Sequence, residues 1–345
     1  MVSPASASTS EPVKVPLLEY LDHLVDDLLR LVPLALREWE PDAIHQSRVA
    51  TRRLKAGLDL FRPVLSDDAR KPFAKVTRRL RRRLGPLRDL DVMLGHLDEL
   101  SRIKRHATAN GWLANQLQLQ REKARGESMD DTSPGKVLAK VSDSWSAVRS
   151  EILEAKEAID SLLVQSIHLQ LDAFVEQADR LVHASDAAKS ENVGLDVHEL
   201  RIAGKALRYT LEMAREHRRK LEGRVMRTFK RMQEALGLWH DFVVVTEWAM
   251  RASLEGLLAH HDTKLQADVL SLARLTLSRS EQRLSKFAAL WKEEGPALTR
   301  TIRESFPITQ PPPPAVTESQ TDPDPSATAE MSSREEPPTS AAPAA

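Results

Sequence analysis

One sequence pattern occurs twice: residues 45–55 read HQSRVATRRLK and residues 198–208 read HELRIAGKALR, with His, Arg, a base and a second base at offsets 0, 3, 7 and 10 in both. On a helix those offsets drift by only ~80° around the axis, so His45, Arg48, Arg52 and Lys55 share one face, as do His198, Arg201, Lys205 and Arg208. A second matching pair follows, LRRRLGPLRDLDV from Leu80 and MQEALGLWHDFVV from Met232, which keeps Leu-Gly and an Asp in place. His45 and His198 lie 153 residues apart, and Asp89 and Asp241 lie 152 apart. A long period kept to within one residue is an internal duplication, and it limits the chain to folds built from two copies of one helical unit.

Helical periodicity fills the copies. A stripe of Leu17, Leu21, Leu24, Leu28 and Leu31 predicts an amphipathic helix over 17–37, bent or shortened by Pro33. Pro41 suits the first turn of a second helix, to about 62, stopped by Pro63; Ser66 is a candidate N-cap for a third over 67–84, ended by Gly85 and Pro86. Asp89 is expected to open a fourth, and a shorter helix to follow to about 123. Beyond a polar linker, 126–135 (GESMDDTSPG), helices are expected near 137–161, 164–183, 197–217, 220–236, 241–260 and 265–292. With few strand signals, the expectation is an all-α domain over about 15–303 made of two pseudo-twofold-related halves, 15–125 and 136–303, each resembling a four-helix bundle. Residues 1–14 and the Pro-, Ser-, Thr- and Glu-rich tail from 304 read as disordered.

A net charge of zero conceals two unlike parts. From Glu304 onward there are seven acids and one base, a net −6, which leaves +6 on the rest. Arg70, Lys71, Lys75, Arg78, Arg79, Arg81, Arg82, Arg83 and Arg88 lie in a stretch that contains no acid, an arrangement suited to a polyanion. The absence of cysteine excludes disulfides, thiolate metal sites and cysteine nucleophiles. No apolar run approaches the ~20 residues of a membrane span, and the first residues form no secretory signal, so a cytoplasmic protein is expected.

The paired His-x-x-Arg-x-x-x-base-x-x-base stretches, each followed by a basic helix ending in Leu-Gly-x-x-x-Asp, resemble the CHAD domain, the conserved-histidine α-helical domain of polyphosphate-binding proteins. The likeness covers roughly residues 15–303. It implies a helical pseudo-twofold domain whose basic central cavity holds inorganic polyphosphate, association with polyphosphate granules, and binding without catalysis or cofactor.

The residues support the same direction on their own terms. Polyphosphate presents dense negative charge and little else, so its receptor needs many cations aimed at one channel. The second helix of each half supplies the sets just named. The third supplies Lys75, Arg78, Arg79 and Arg82, matched by Arg227, Lys230 and Arg231, while Glu234 stands in place of the fourth and predicts an asymmetric cavity. Taken singly, each base reads as part of a solvated face; a solvated face, however, has no need to repeat the same offsets in two copies. His45 and His198 are open to packing, metal ligation or phosphate donation, and neighbouring Arg48 and Arg201 disfavour a metal. Asp89 and Asp241 read as helix caps or as groups that orient a basic neighbour. His240-Asp241 spells the dipeptide of metal-dependent phosphohydrolases without further histidines at ligand spacing, and no phosphate-binding glycine loop occurs. Nucleic acid is the competing partner and a protein scaffold the third class. The six tryptophans do not interleave with the basic set, which argues against stacking platforms.

Overall fold

In the computed structural model, the described residues are 14–128, 133–186, 193–260 and 262–308, and among them there are ten α-helices and no strand. The expectations for 1–13 and for the tail from 309 lie outside the described residues.

Helix α1 (Pro16–Pro33) starts with proline at its first turn, where the missing N–H is no loss, and buries Leu17, Leu21, Leu24, Leu28 and Leu31 as the stripe requires. Pro33 cannot donate to the ladder, and the chain widens into a π-helical segment, Leu34–Glu38. Trp39, buried in the left-handed conformation at φ 57°, turns it into α2 (Pro41–Leu60). Helix α3 (Asp67–Arg83) is capped by Ser66, whose Oγ accepts from the Ala69 N–H at 3.2 Å, as expected. Then come α4 (Gly85–Leu100), α5 (Ala107–Ser128), α6 (Pro134–Glu154), α7 (Ile159–Asp186), α8 (Val193–Glu216), α9 (Gly223–His260) and α10 (Thr263–Ser305). Of the expected linker, 126–128 continue α5 and 134–135 open α6.

Helix α6, which follows that linker in sequence, crosses back to pack on α1 and α3. This closes a ring of four helices, α1–α2–α3–α6; α7, α8, α9 and α10 close a second ring in the same order. Matching hydrogen bonds tie the rings shut. Trp145 Nε1 of α6 donates to Asp22 of α1 at 2.8 Å, and Trp291 Nε1 of α10 donates to Asp179 of α7 at 2.8 Å. The rings meet where α2 packs on α8, flanked by α1 on α8 and α2 on α7. The main apolar core runs through both rings, while a smaller one joins α4, α5, the C-terminal part of α9 and the N-terminal part of α10.

Two expectations about the Leu-Gly motif are corrected. The second copy has no break: the two helices expected over 220–236 and 241–260 are one helix, α9, because Leu238 stands where Pro86 stands and a lone glycine does not end a helix. Neither aspartate is a cap. Leu84 is the N-cap of α4, Asp89 lies inside that helix, and Asp241 lies mid-way along α9.

The two glycines therefore differ. A Cβ on Gly85 would stand 2.9 Å from Arg48 Nη1, whereas one on Gly237 would meet nothing within 4 Å. Gly237→Ala is expected to stabilise the protein by ~0.5–1 kcal/mol through helix propensity and a stiffer unfolded chain. Gly85→Ala gains less, because the Arg48 guanidinium must give way. Parallel denaturant melts check the difference.

Candidate functional site

The junction of α2 and α8 places the two duplicated stretches face to face. Arg48 and Arg52 come from α2, Arg201 and Lys205 from α8, and His240 and Asp241 from α9 beside them. Lys205 records the crowding: burial first, then the charges of Arg201, Arg52 and Arg48, hold its ammonium down to about 7, with Asp241 acting against them. A lysine and three guanidiniums drawn from both copies thus act on one another at the heart of the domain.

Each copy adds a histidine to this centre, and each histidine meets the residue before its aspartate. The His198 ring lies 6.2 Å from that of His240, and Arg88 is the foremost charge acting on His45. Burial, then these cations, lowers the pKa of His45; burial, then Arg201, brings His240 down to about 4. His240 is therefore neutral at physiological pH, in a cationic setting hostile to a metal ion. Its neighbour Asp241 lies 3.4 Å from His96 Nε2 of α4.

Arg48 has a structural task as well. Its Nη1 donates to the Arg81 carbonyl at 2.8 Å, near the end of α3, and its Nη2 lies 3.9 Å from Asp89. Of the two readings of Asp89, orienting a basic neighbour is the one the geometry keeps. Glycine at position 85 is what admits the guanidinium.

The fourth base of each set is turned to a different use. Lys55 Nζ is 2.7 Å from Asp59, and Arg208 Nε is 2.7 Å from Glu212, an acid one turn further on in both copies. Glu212 also accepts from Arg53 Nε at 3.1 Å, which bolts α8 to α2. Arg208 Nη1 reaches Gln233 at 3.4 Å, and Gln233 in turn donates to the Gly204 carbonyl. Sequence reasoning left out Asp59 and Glu212, although a base and an acid four residues apart in both copies was a readable signal.

The third-helix bases form two outer rows rather than part of the junction cluster. Lys75, Arg78, Arg79 and Arg82 are exposed along α3. Arg227 and Lys230 are exposed on α9, where Arg208, Arg215, Arg227 and Lys230 line an open cleft of about 450 Å³. Arg224, Arg227 and Arg231 line another of about 470 Å³, in which Arg231 is bound to Glu294 at 2.9 Å. The tryptophans offer no exposed ring to these cations: Trp39, Trp145, Trp239 and Trp291 are buried, the Trp239 ring 6.3 Å from that of His240, and Trp112 and Trp248 pack on the smaller core.

These features define a class: an all-helical duplicated domain whose two copies converge on a shared cationic centre. The model of the CHAD domain family matches residues 19–250, and the chain belongs to that family. Among solved structures it is similar to the CHAD domain from the plant Ricinus communis, with a TM-score of 0.52 and 19% identity over 86% of this chain and 92% of that one. It is also similar to PptA from Streptomyces chartreusis, with a TM-score of 0.51 and 16% identity over 82% of this chain and all of the other. At such identities the likeness is one of fold. No curated protein matches the chain in sequence. No helix among the described residues is long and apolar enough to cross a membrane.

Proposed function

We propose that this protein binds inorganic polyphosphate at the α2/α8 junction, without hydrolysing it. The observation that carries the reading is the half-buried Lys205, which α8 sets at the α2/α8 junction under the charges of Arg201, Arg52 and Arg48 from both repeats. Like charges gathered partly out of water raise the energy of the unliganded fold, and a dense polyanion is the partner that relieves them. Arginine is the main cation here, and its planar fork suits phosphate oxygens better than a point charge does. The family supports a polyphosphate-related role, and association with polyphosphate granules is proposed with it. His45 and His198 stand beside the cluster as further donors to phosphate oxygens. Nucleic acid and protein scaffolding are the weaker alternatives, since the tryptophans offer no stacking platform beside the cations.

Competition tests the reading. At physiological salt, long-chain polyphosphate is expected to displace a labelled polyphosphate at lower charge concentration than duplex DNA, RNA or ATP does. Equal displacement by duplex DNA would sink it. Affinity is also expected to fall with salt, log K losing roughly 0.7 per phosphate contact for each unit of log salt. Released phosphate is expected to stay at background with and without divalent metal; release abolished by Asp241→Ala would instead support an enzyme.

A further inference from the structure

The two repeats share the junction but not the surfaces beside it. After Asp68, α3 carries no acid to its end, and its exposed Lys75, Arg78, Arg79 and Arg82 form no ion pair with any described residue. In the second copy two positions of the matching row differ, while Arg227 and Lys230 likewise form no ion pair with any described residue. Glu234 occupies the place of Arg82. Glu294 of α10 accepts from Thr228 Oγ1 at 2.7 Å and from Arg231 Nη1 at 2.9 Å, and these contacts, Thr228 first, lower its pKa and keep it ionised. Glu294 lies three residues after Trp291; three residues after Trp145, the tryptophan with the equivalent bond, stands buried Val148. The nearby acid of α6, Glu151, is engaged at the opposite end of α3, where it accepts from the Ser66 N–H and hydroxyl.

The α3 row also begins at the cluster. Arg48 binds the Arg81 carbonyl, next to Arg82, and the row runs back to Lys75 over roughly 10 Å of helix. We infer that the first repeat alone extends the site: a linear polyphosphate held at the α2/α8 junction continues over the α3 row, while a carboxylate occupies the equivalent path on α9. This rests on the polyphosphate reading of the junction. It makes chain length a property that the α3 row selects for, and it gives Glu294 the role of an internal competitor for phosphate.

The test compares tripolyphosphate with long-chain polyphosphate. In a variant carrying Lys75→Gln, Arg78→Gln, Arg79→Gln and Arg82→Gln, affinity for the long chain is expected to fall about tenfold more than affinity for tripolyphosphate, as four exposed charge contacts allow. The long-chain salt slope is expected to shrink by about 2.8 over those four contacts. Arg227→Gln with Lys230→Gln is expected to cost the long chain less, and Glu294→Gln to raise long-chain affinity. The pair Arg78→Gln and Arg79→Gln, checked by circular dichroism, gives the same direction should the fourfold variant fold poorly. Equal losses for both ligand lengths, or a larger loss from the α9 pair, would overturn the inference while leaving the junction intact. Failure of the native protein to bind either ligand would instead bring down the junction reading and this extension with it.

Discussion

Replacing Arg201 with alanine is expected to weaken polyphosphate binding by about 1.5 to 3 kcal/mol, the range for a hydrogen bond to a charged group. Arg201 acts on the cation cluster from α8, and removing it relieves the repulsion felt by Lys205. Arg48→Ala is expected to cost similar affinity and to lower the melting temperature, because it removes the hydrogen bond that ties α2 to the end of α3. The bond from Arg48 to the end of α3 is a structural task that the duplication alone does not reveal. The double variant is expected to lose more than either single one and less than their sum, since adjacent cations repel each other. Affinity and melting curves for the three proteins check this. If Arg201→Ala binds normally and the double variant behaves like Arg48→Ala, the second repeat contributes structure rather than ligand contacts.

Lys205→Met is expected to have opposite effects on binding and stability. The folded protein holds this amine at about 7, against 10.5 when unfolded. Below about pH 7 both states are protonated and the fold bears the full penalty of a half-buried, crowded cation. Between there and 10.5 the unfolded chain binds the extra proton, so this residue's contribution makes stability rise with pH. At neutral pH and below, removing the amine lifts that penalty. Each tenfold change in proton affinity is worth ~1.4 kcal/mol, so even half the depression corresponds to a gain on the order of 2 kcal/mol. Polyphosphate, by contrast, favours the charged form, so binding is expected to take up a proton near pH 7 to 8, and affinity to fall as pH rises through that window in the native protein but not in Lys205→Met. Calorimetric titrations in buffers of different ionisation enthalpy read the proton directly. A native protein whose binding takes up no proton would place the ligand away from Lys205.

How much of this was legible in the sequence depends on whether the deciding contact was local. The duplication placed His45 to Arg52 and His198 to Lys205 on matching helix faces, and the structure sets α2 against α8 there. Ser66 capping α3 and Pro33 disturbing the end of α1 were equally readable, because both act within one turn. The crossing of α6 back onto α1 and α3 was not, since it depends on distant pairs such as Trp145 with Asp22. The unbroken α9 turned on a single difference, proline at 86 and leucine at 238, under an otherwise matching motif. Lys55 and Arg208 kept their helix face but are drawn to Asp59 and Glu212. Glu294 reaches Arg231 from a helix 63 residues away, and only its absence from the first repeat makes it informative.

The most direct measurement is equilibrium binding of long-chain polyphosphate to the native protein, to Arg201→Ala, and to Arg274→Ala, which removes the same charge from an exposed position on α10. The expected result is a loss of tenfold or more for Arg201→Ala, corresponding to about 1.4 kcal/mol or above, and near-native affinity for Arg274→Ala. Equal affinities for the two variants would mean that net charge rather than the α2/α8 cluster holds the ligand, and would contradict the central claim.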